Sequence, residues 1–298
     1  MTPRMVAGFR RSLSFNYPNH SNKPNKKAFH VRSTSLPCDR SHPLISQLKD
    51  GLNELKTWAS KPEARTSAWL CDGLTQLKIV HESLDDLLQL PQTRESLHNH
   101  SELVEKLLED FLRFVDVYGI FRTLILTFKE EHSAAQVALR RKDESKIVSY
   151  VKALRKLAKE MDKLMSNVQY CIGKYVLVLP QQYSIEDTEL VEILKDVLEV
   201  TVLVSVELFN GLSVSMSLPK SSCSWSAKKT KKVKLDEGIE EFSKMSLLRK
   251  KIESEELKMV SKKMHELEDC ICEIEICGQK VFRSLINARV SLLNVYTQ

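Results

Sequence analysis

The sequence predicts an all-α protein, an elongated bundle of five to six long helices with a C-terminal heptad helix of coiled-coil type. Three observations carry that prediction. Only eight glycines and nine prolines punctuate the 298 residues, and six of the nine prolines fall at or before Pro62. A strand-built chain of this length needs many more turn residues. Apolar residues make up 42% of the chain, enough for a sizeable core. They recur at spacings of three and four over long stretches rather than alternating.

The elements follow in order. Residues 1–40 are rich in Ser, Asn, Pro and basic side chains, show no apolar period and read as a disordered tail. The first helix starts at Ser41-His42-Pro43, where proline suits a first turn because its missing N–H would be unpaired there. It runs to about Ser60 and stops before Pro62. A second runs from about Ala64 to Leu90 and stops at Pro91. The third carries Val104, Leu107, Phe111, Phe114, Tyr118, Phe121, Ile125, Phe128, His132, Ala135 and Leu139, and its broad apolar stripe places it near the centre of a bundle. A fourth follows the break at Arg140-Arg141-Lys142-Asp143, with a seam from Ile147 to Tyr175, and ends at Pro180. A fifth starts near Ser184, three residues before Asp187.

Within that fifth helix, residues 200–218 hold one charge, Glu207. Nineteen residues are long enough to span a bilayer. Eight of them, however, are Ser, Thr, Asn, Gly or Glu, and a mid-span carboxylate opposes insertion. The stretch reads as a buried core helix of a domain spanning 41–218. Residues 219–238 form a Ser/Lys-rich linker. The segment 239–298 packs on the bundle as a long helix whose seam is Leu257, Val260, Met264, Leu267, Ile271, Ile274, Gly278, Val281, Leu285, Ala288, Leu292 and Val295. A sustained 3.5-residue period marks a left-handed supercoil. The seam's partner is either another helix of this chain or a second copy, so it is also a candidate partner-helix surface and a route to a homo-oligomer.

Charge narrows the partners. The chain carries +6, but residues 1–40 hold eight basic residues and one acid, so the remaining 258 sum to −1. The footprint of a nucleic-acid-binding domain lies on the domain itself, and no nucleic-acid partner is expected. Seven cysteines, an odd number, scattered through helical periodicity fit reduced thiols in a cytoplasmic or nuclear protein. The acid-free start of the tail resembles an organellar transit peptide, and a plain disordered tail is the favoured reading.

Few motifs carry chemistry. His98 and His100 are two apart and point to different faces of a helix, so a solvated turn is expected. Cys270 and Cys272 diverge by about 200° on a helix, and with His265 and Cys277 they read as half-buried thiols rather than zinc ligands. Asp85-Asp86 reads as a polar helix face. With no Gly-rich phosphate loop, nucleophile elbow or Ser/His/Asp constellation, neither an enzyme nor a cofactor is expected. Lys228, Lys229, Lys231, Lys232 and Lys234 read as a solvated linker, a nuclear address or an acidic-lipid contact. Arg32, Ser33, Ser35 and Pro37 form a candidate phosphorylation motif, with arginine three residues before Ser35 and proline two after. Phosphate there adds about −1.5 to −2 charges and creates a ligand for a phosphoserine-reading adaptor.

Several stretches resemble the plant BYPASS-like family: Phe29-His30-Val31-Arg32-Ser33-Thr34-Ser35-Leu36-Pro37 with Arg40-Ser41-His42-Pro43, then Leu84 to Pro91, Leu112 to Gly119, Ala138 to Lys142, and Arg289 to Val295. The resemblance covers about residues 29–298 and leaves residues 1–28 as an extension. It implies a helical plant protein linked to root and shoot development, with no known enzyme activity or cofactor. The expected function is a non-enzymatic interaction or regulatory protein. The alternative is a membrane-surface protein held by basic segments and the 200–218 stretch.

Overall fold

The computed structural model describes residues 43–60, 65–169, 185–217, 238–243 and 254–297. Helices α1 (Pro43–Ser60), α2 (Ser67–Leu88), α3 (Pro91–His98), α4 (Ser101–Arg140), α5 (Glu144–Asn167), α6 (Ile185–Met216), α7 (Glu240–Ser243) and α8 (Ser254–Thr297) account for nearly all of them, and no strand occurs among the described residues. The all-α expectation holds. The tail 1–40, the linker to residue 237 and the stretch 170–184 lie outside the described residues.

Local chemistry sets the helix ends. Pro43 opens α1, whose Leu48, Leu52 and Leu55 are buried at i, i+4, i+7. Thr66 caps α2, its side chain accepting from Trp69 N at 3.1 Å. The Glu241 carboxylate reaches the same helix end from α7 and accepts from Ser67 N at 3.0 Å, where the macrodipole favours an anion. Pro91, expected as a stop, instead begins α3 as its first helical residue. A proline lacks an N–H wherever it stands, so the same residue that closes one helix opens the next. Asp143 caps α5 by accepting from Lys146 N at 3.2 Å.

The corner between α4 and α5 is a Schellman turn. Asp143 N donates to Ala138 O at 2.9 Å and Lys142 N to Leu139 O at 3.2 Å, with Lys142 in the left-handed region at φ 54°. Glycine is the usual occupant.

Helix α4 is central, as its stripe predicts. Phe111, Phe114, Tyr118, Phe121, Ile125 and Phe128 are all buried. Helix α8 runs antiparallel to it, from Gln136 beside Met264 O (3.2 Å) through Lys129–Glu275 (2.8 Å) to Tyr296–Glu105 (2.6 Å). Helix α2 lies parallel to α8 on another side, and α6 packs against α1, α2 and α5. Helix α6 alone among the described helices is long and apolar enough to cross a membrane, yet 61% of its most apolar window is buried in the bundle. Glu207 pairs with Arg65 at 2.9 Å, with both side chains at most a quarter exposed.

Candidate functional site

The groups best suited to acid–base chemistry are sealed in the core. His81 on α2 is fully buried. Its Nδ1 lies 3.0 Å from Ser284 Oγ of α8 and its Nε2 lies 2.9 Å from Thr201 Oγ1 of α6. Burial pushes the imidazole down to about 3, so it is neutral at physiological pH. Ser284 Oγ also lies 2.9 Å from Val281 O and Thr201 Oγ1 2.7 Å from Val197 O, and whichever hydroxyl accepts from the ring gives its proton to its carbonyl. A neutral ring has one N–H to give, so one hydroxyl turns its proton towards the ring. Thr201 O in turn accepts from Ser205 Oγ, which lies 3.1 Å from Tyr118 Oη of α4. The network therefore ties α2, α4, α6 and α8 in one register.

A second network does the same at the other end of α4. His132 lies 2.8 Å from Tyr150 Oη of α5 and 2.7 Å from Met264 O of α8. Burial lowers the His132 pKa, opposed by the Met264 carbonyl, and burial raises that of Tyr150. Buried polar groups matched this fully fix a unique packing.

The C-terminal seam finds its partner inside the chain. Val260, Met264, Leu267, Ile271, Ile274, Val281, Leu285, Leu292 and Val295 are all buried, and α8 packs on α4 and α2. These nine side chains are already covered by helices of the same chain and need no second copy to bury them. The Leu257 side chain lies outside the described residues. Gly278 allows the close approach expected of it, since a Cβ there would stand 2.6 Å from the Phe121 ring.

One surface stands out by charge. Residues 140–163 carry nine basic side chains, all exposed, against four acids. Lys163 pairs with Glu160 at 2.9 Å, while Lys152, Arg155, Lys156 and Lys159 have no acidic partner among the described residues. The near-neutral sum of the body thus hides a segregated basic face. An open groove of about 560 Å³ adjoins it, lined by Arg140, Lys258, Lys262 and His265 among others.

The other residues singled out in the sequence are dispersed. Asp85 accepts a hydrogen bond from Ser291 Oγ of α8, and Asp86 is exposed, so they do not converge. His98 ends α3 and is exposed. Cys270, Cys272 and Cys277 are half-buried, and among the described residues no group of three or more His, Cys, Asp and Glu could hold a metal ion. The Arg32, Ser33, Ser35, Pro37 motif and the Lys228, Lys229, Lys231, Lys232, Lys234 cluster lie outside the described residues. The role of His81 was missed, although Leu77, His81, Leu84 and Leu88 share one 4-3-4 stripe.

A closed helical bundle pinned by internal polar networks, with one basic face, places the chain among all-α bundle proteins. The sequence profile described as Protein BPS1 matches residues 73–295, three quarters of the chain. The chain therefore belongs to that family of BYPASS-like plant proteins, which has a role in plant development. No curated protein and no solved structure matches it.

Proposed function

We propose that this chain is a non-enzymatic interaction and regulatory protein of plant root and shoot development. One observation carries the reading. The imidazoles and phenols that would do acid–base work, His81, His132, Tyr118 and Tyr150, are buried and bonded to each other, to hydroxyls and to backbone across the bundle. The outward-facing chemistry is mostly charge and scattered apolar side chains, with His265 3.4 Å from Glu268 beside the α8 groove, which suits recognition of a partner. The test is affinity purification from plant tissue with mass spectrometry, comparing wild type, Ser35→Ala and a charge-reversed α5. A defined partner set that loses members in Ser35→Ala supports a phosphoserine-gated contact. Recovery of nothing above the control in every arm overturns the interaction reading.

A second reading, association with an acidic membrane surface, is favoured by the α5 face. Lys152–Lys156, Arg155–Lys159 and Lys159–Lys163 are like-charge pairs at i, i+4, each unfavourable by about 0.2–0.5 kcal/mol. An anionic surface relieves that repulsion, at about 1 kcal/mol per lysine near the headgroups. Flotation with acidic vesicles, lost at high salt and in Lys152→Glu/Lys156→Glu/Lys159→Glu, is the expected result. A protein that stays at the bottom of the gradient with acidic vesicles removes this reading.

A further inference from the structure

Four residues of α8 fall on one line at seven-residue steps: Cys270, Cys277, Ser284 and Ser291. That line faces α2. Ser67 Oγ donates to Cys270 Sγ at 3.3 Å, His81 Nδ1 lies 3.0 Å from Ser284 Oγ, and Gln89 Nε2 donates to Ser291 Oγ at 3.2 Å. The first two contacts both join positions 203 apart, so α2 and α8 keep one parallel register across two heptads. That register sets Cys277 level with position 74, between Cys71 and Thr75, which lie one helical turn apart. Cys71 is then about 4.5 Å from Cys277 along the axis, at 1.5 Å per residue. Because Cα–Cβ bonds lean towards a helix's N-terminus, the Cys277 side chain leans back towards Cys71. The two thiols are neighbours there, and the Thr75 hydroxyl, which donates to Cys71 O at 2.7 Å, lies beside Cys277. Both sulfurs are half-buried rather than sealed.

We propose that Cys277 is a site of oxidation by peroxide and that Cys71 resolves it, forming a reversible disulfide that joins α2 to α8. The two thiols divide the work. Cys277 is held well below the ordinary thiol range by the Cys71 hydrogen bond first, with Thr75 and Lys280 adding to it against burial and Glu273. Cys71 is pushed up by the same bond, by burial and by Cys277, Glu273 and Cys270, and keeps its proton. The thiolate is the nucleophile, so Cys277 reacts first.

The chemistry balances in two steps. The Cys277 thiolate attacks one oxygen of hydrogen peroxide. The O–O bond breaks, an S–O bond forms, and hydroxide leaves. With Cys277 now a neutral sulfenic acid, the thiolate that held the Cys71 proton in place is gone, and Cys71 gives up that proton as its sulfur attacks Cys277 sulfur. The S–O bond breaks, the S–S bond forms, and the departing hydroxyl takes the Cys71 proton as water. Each sulfur gives up one electron and the peroxide accepts both.

Peptide mapping of the full chain tests this. The protein is reduced, desalted, exposed to hydrogen peroxide, alkylated and cut with trypsin. Cys71 lies in peptide 66–78, and Cys277 lies in peptide 264–280 with Cys270 and Cys272. The expected product is a 66–78/264–280 linked pair that dithiothreitol reverses. It should vanish in Cys71→Ser and Cys277→Ser and persist in Cys270→Ser and Cys272→Ser. Cys71→Ser should also leave a sulfenic acid on Cys277 that dimedone traps. Fragmentation of the linked wild-type peptides locates the sulfur directly, so a variant that fails to fold does not block the test. A link through Cys270 or Cys272, or no link and no dimedone adduct on 264–280, overturns the proposal.

Discussion

Two glycines inside helices should respond to the same substitution with opposite signs. At Gly73 of α2, an added Cβ would stand 2.3 Å from Trp58 Cζ2, 2.5 Å from Cε2 and 2.6 Å from Cη2. Real carbon contacts do not come this close, so the indole must move. It has little room. Trp58 is 4% exposed, stacks on Trp69 with centroids 4.1 Å apart, and donates its Nε1–H to Trp69 O at 3.0 Å. Overpacking of this kind costs about 1–3 kcal/mol. Displacing the ring adds about 1 kcal/mol for the hydrogen bond and about 0.5–1.5 kcal/mol for the stack. Alanine's helix propensity returns about 1 kcal/mol. Gly73→Ala should therefore lose about 1.5–4.5 kcal/mol net. At Gly119 of α4 the nearest neighbour of a new Cβ is Phe282 Cε2 at 3.9 Å, an ordinary contact. Gly119→Ala keeps the propensity gain and should stabilise by about 1 kcal/mol. For a body of this size each kcal/mol moves the melting temperature by about 2–4 °C, so the two variants should separate by about 5–22 °C. Thermal melts followed by far-ultraviolet circular dichroism, with urea midpoints in parallel, measure the difference. A Gly73→Ala protein that melts at or above wild type would refute the placement of Trp58 between α1 and α2.

Other perturbations follow from the buried charges and the α4–α5 corner. His81 has a folded pKa lowered to about 3 from 6.5, so the unfolded chain binds the proton first; its stability contribution is full above about 6.5 and is lost as pH falls below it. The slope should approach about 1.4 kcal/mol per pH unit, read as melting temperature between pH 7 and 5, and His81→Gln should flatten the curve to what His132 leaves. Asp110 is 2% exposed, its Oδ2 has no hydrogen-bond partner, and burial first of all raises its pKa despite Arg113 and Lys106. Its stabilisation is thus present in acid and lost as pH rises through the folded pKa, so Asp110→Asn should raise the melting temperature at pH 7, with the gain shrinking towards pH 4. Lys142→Gly relieves a left-handed residue at the Schellman position and should stabilise by about 1 kcal/mol in urea unfolding.

Much of the fold is written in side-chain size and spacing, and those parts were legible. The α4 stripe and the α8 seam repeat large apolar residues over many turns, so neither local propensity nor one misplaced polar residue obscures them. The start at Pro43 was legible for the same reason that α3 was not: proline marks a helix boundary without saying which side of it is helical. The polar networks were hidden because a buried histidine differs from an exposed one only by what surrounds it. His132 fell inside the predicted stripe, yet its bond to Tyr150 joins two helices whose relative rotation the sequence does not state. The α8 line at 270, 277, 284 and 291 was invisible to an apolar template because serine and half-buried cysteine contribute little hydropathy. Net charge misled in a related way, since a sum over 258 residues erased the basic face that α5 gathers on one side.

The two sides of α8 also decide how binding should be dissected. Deleting Leu257–Val295 looks from the sequence like the removal of a partner surface. In the folded chain the same stretch covers Phe121, closes the His132 network through Met264 O, and meets His81 through Ser284. Its loss exposes a core containing at least nine buried seam side chains, each contributing about 1.5–3 kcal/mol on burial. That total, about 14–27 kcal/mol, matches or exceeds the stability of ordinary domains, about 5–15 kcal/mol, so the deletion should unfold the body and abolish every contact at once, whatever surface makes it. Charge reversal on α5 leaves those contacts untouched. Lys152, Lys156 and Lys159 are exposed and have no acidic partner among the described residues, so their replacement tests recognition rather than folding. A partner lost on deletion but kept on α5 reversal therefore points away from the basic face without implicating the seam.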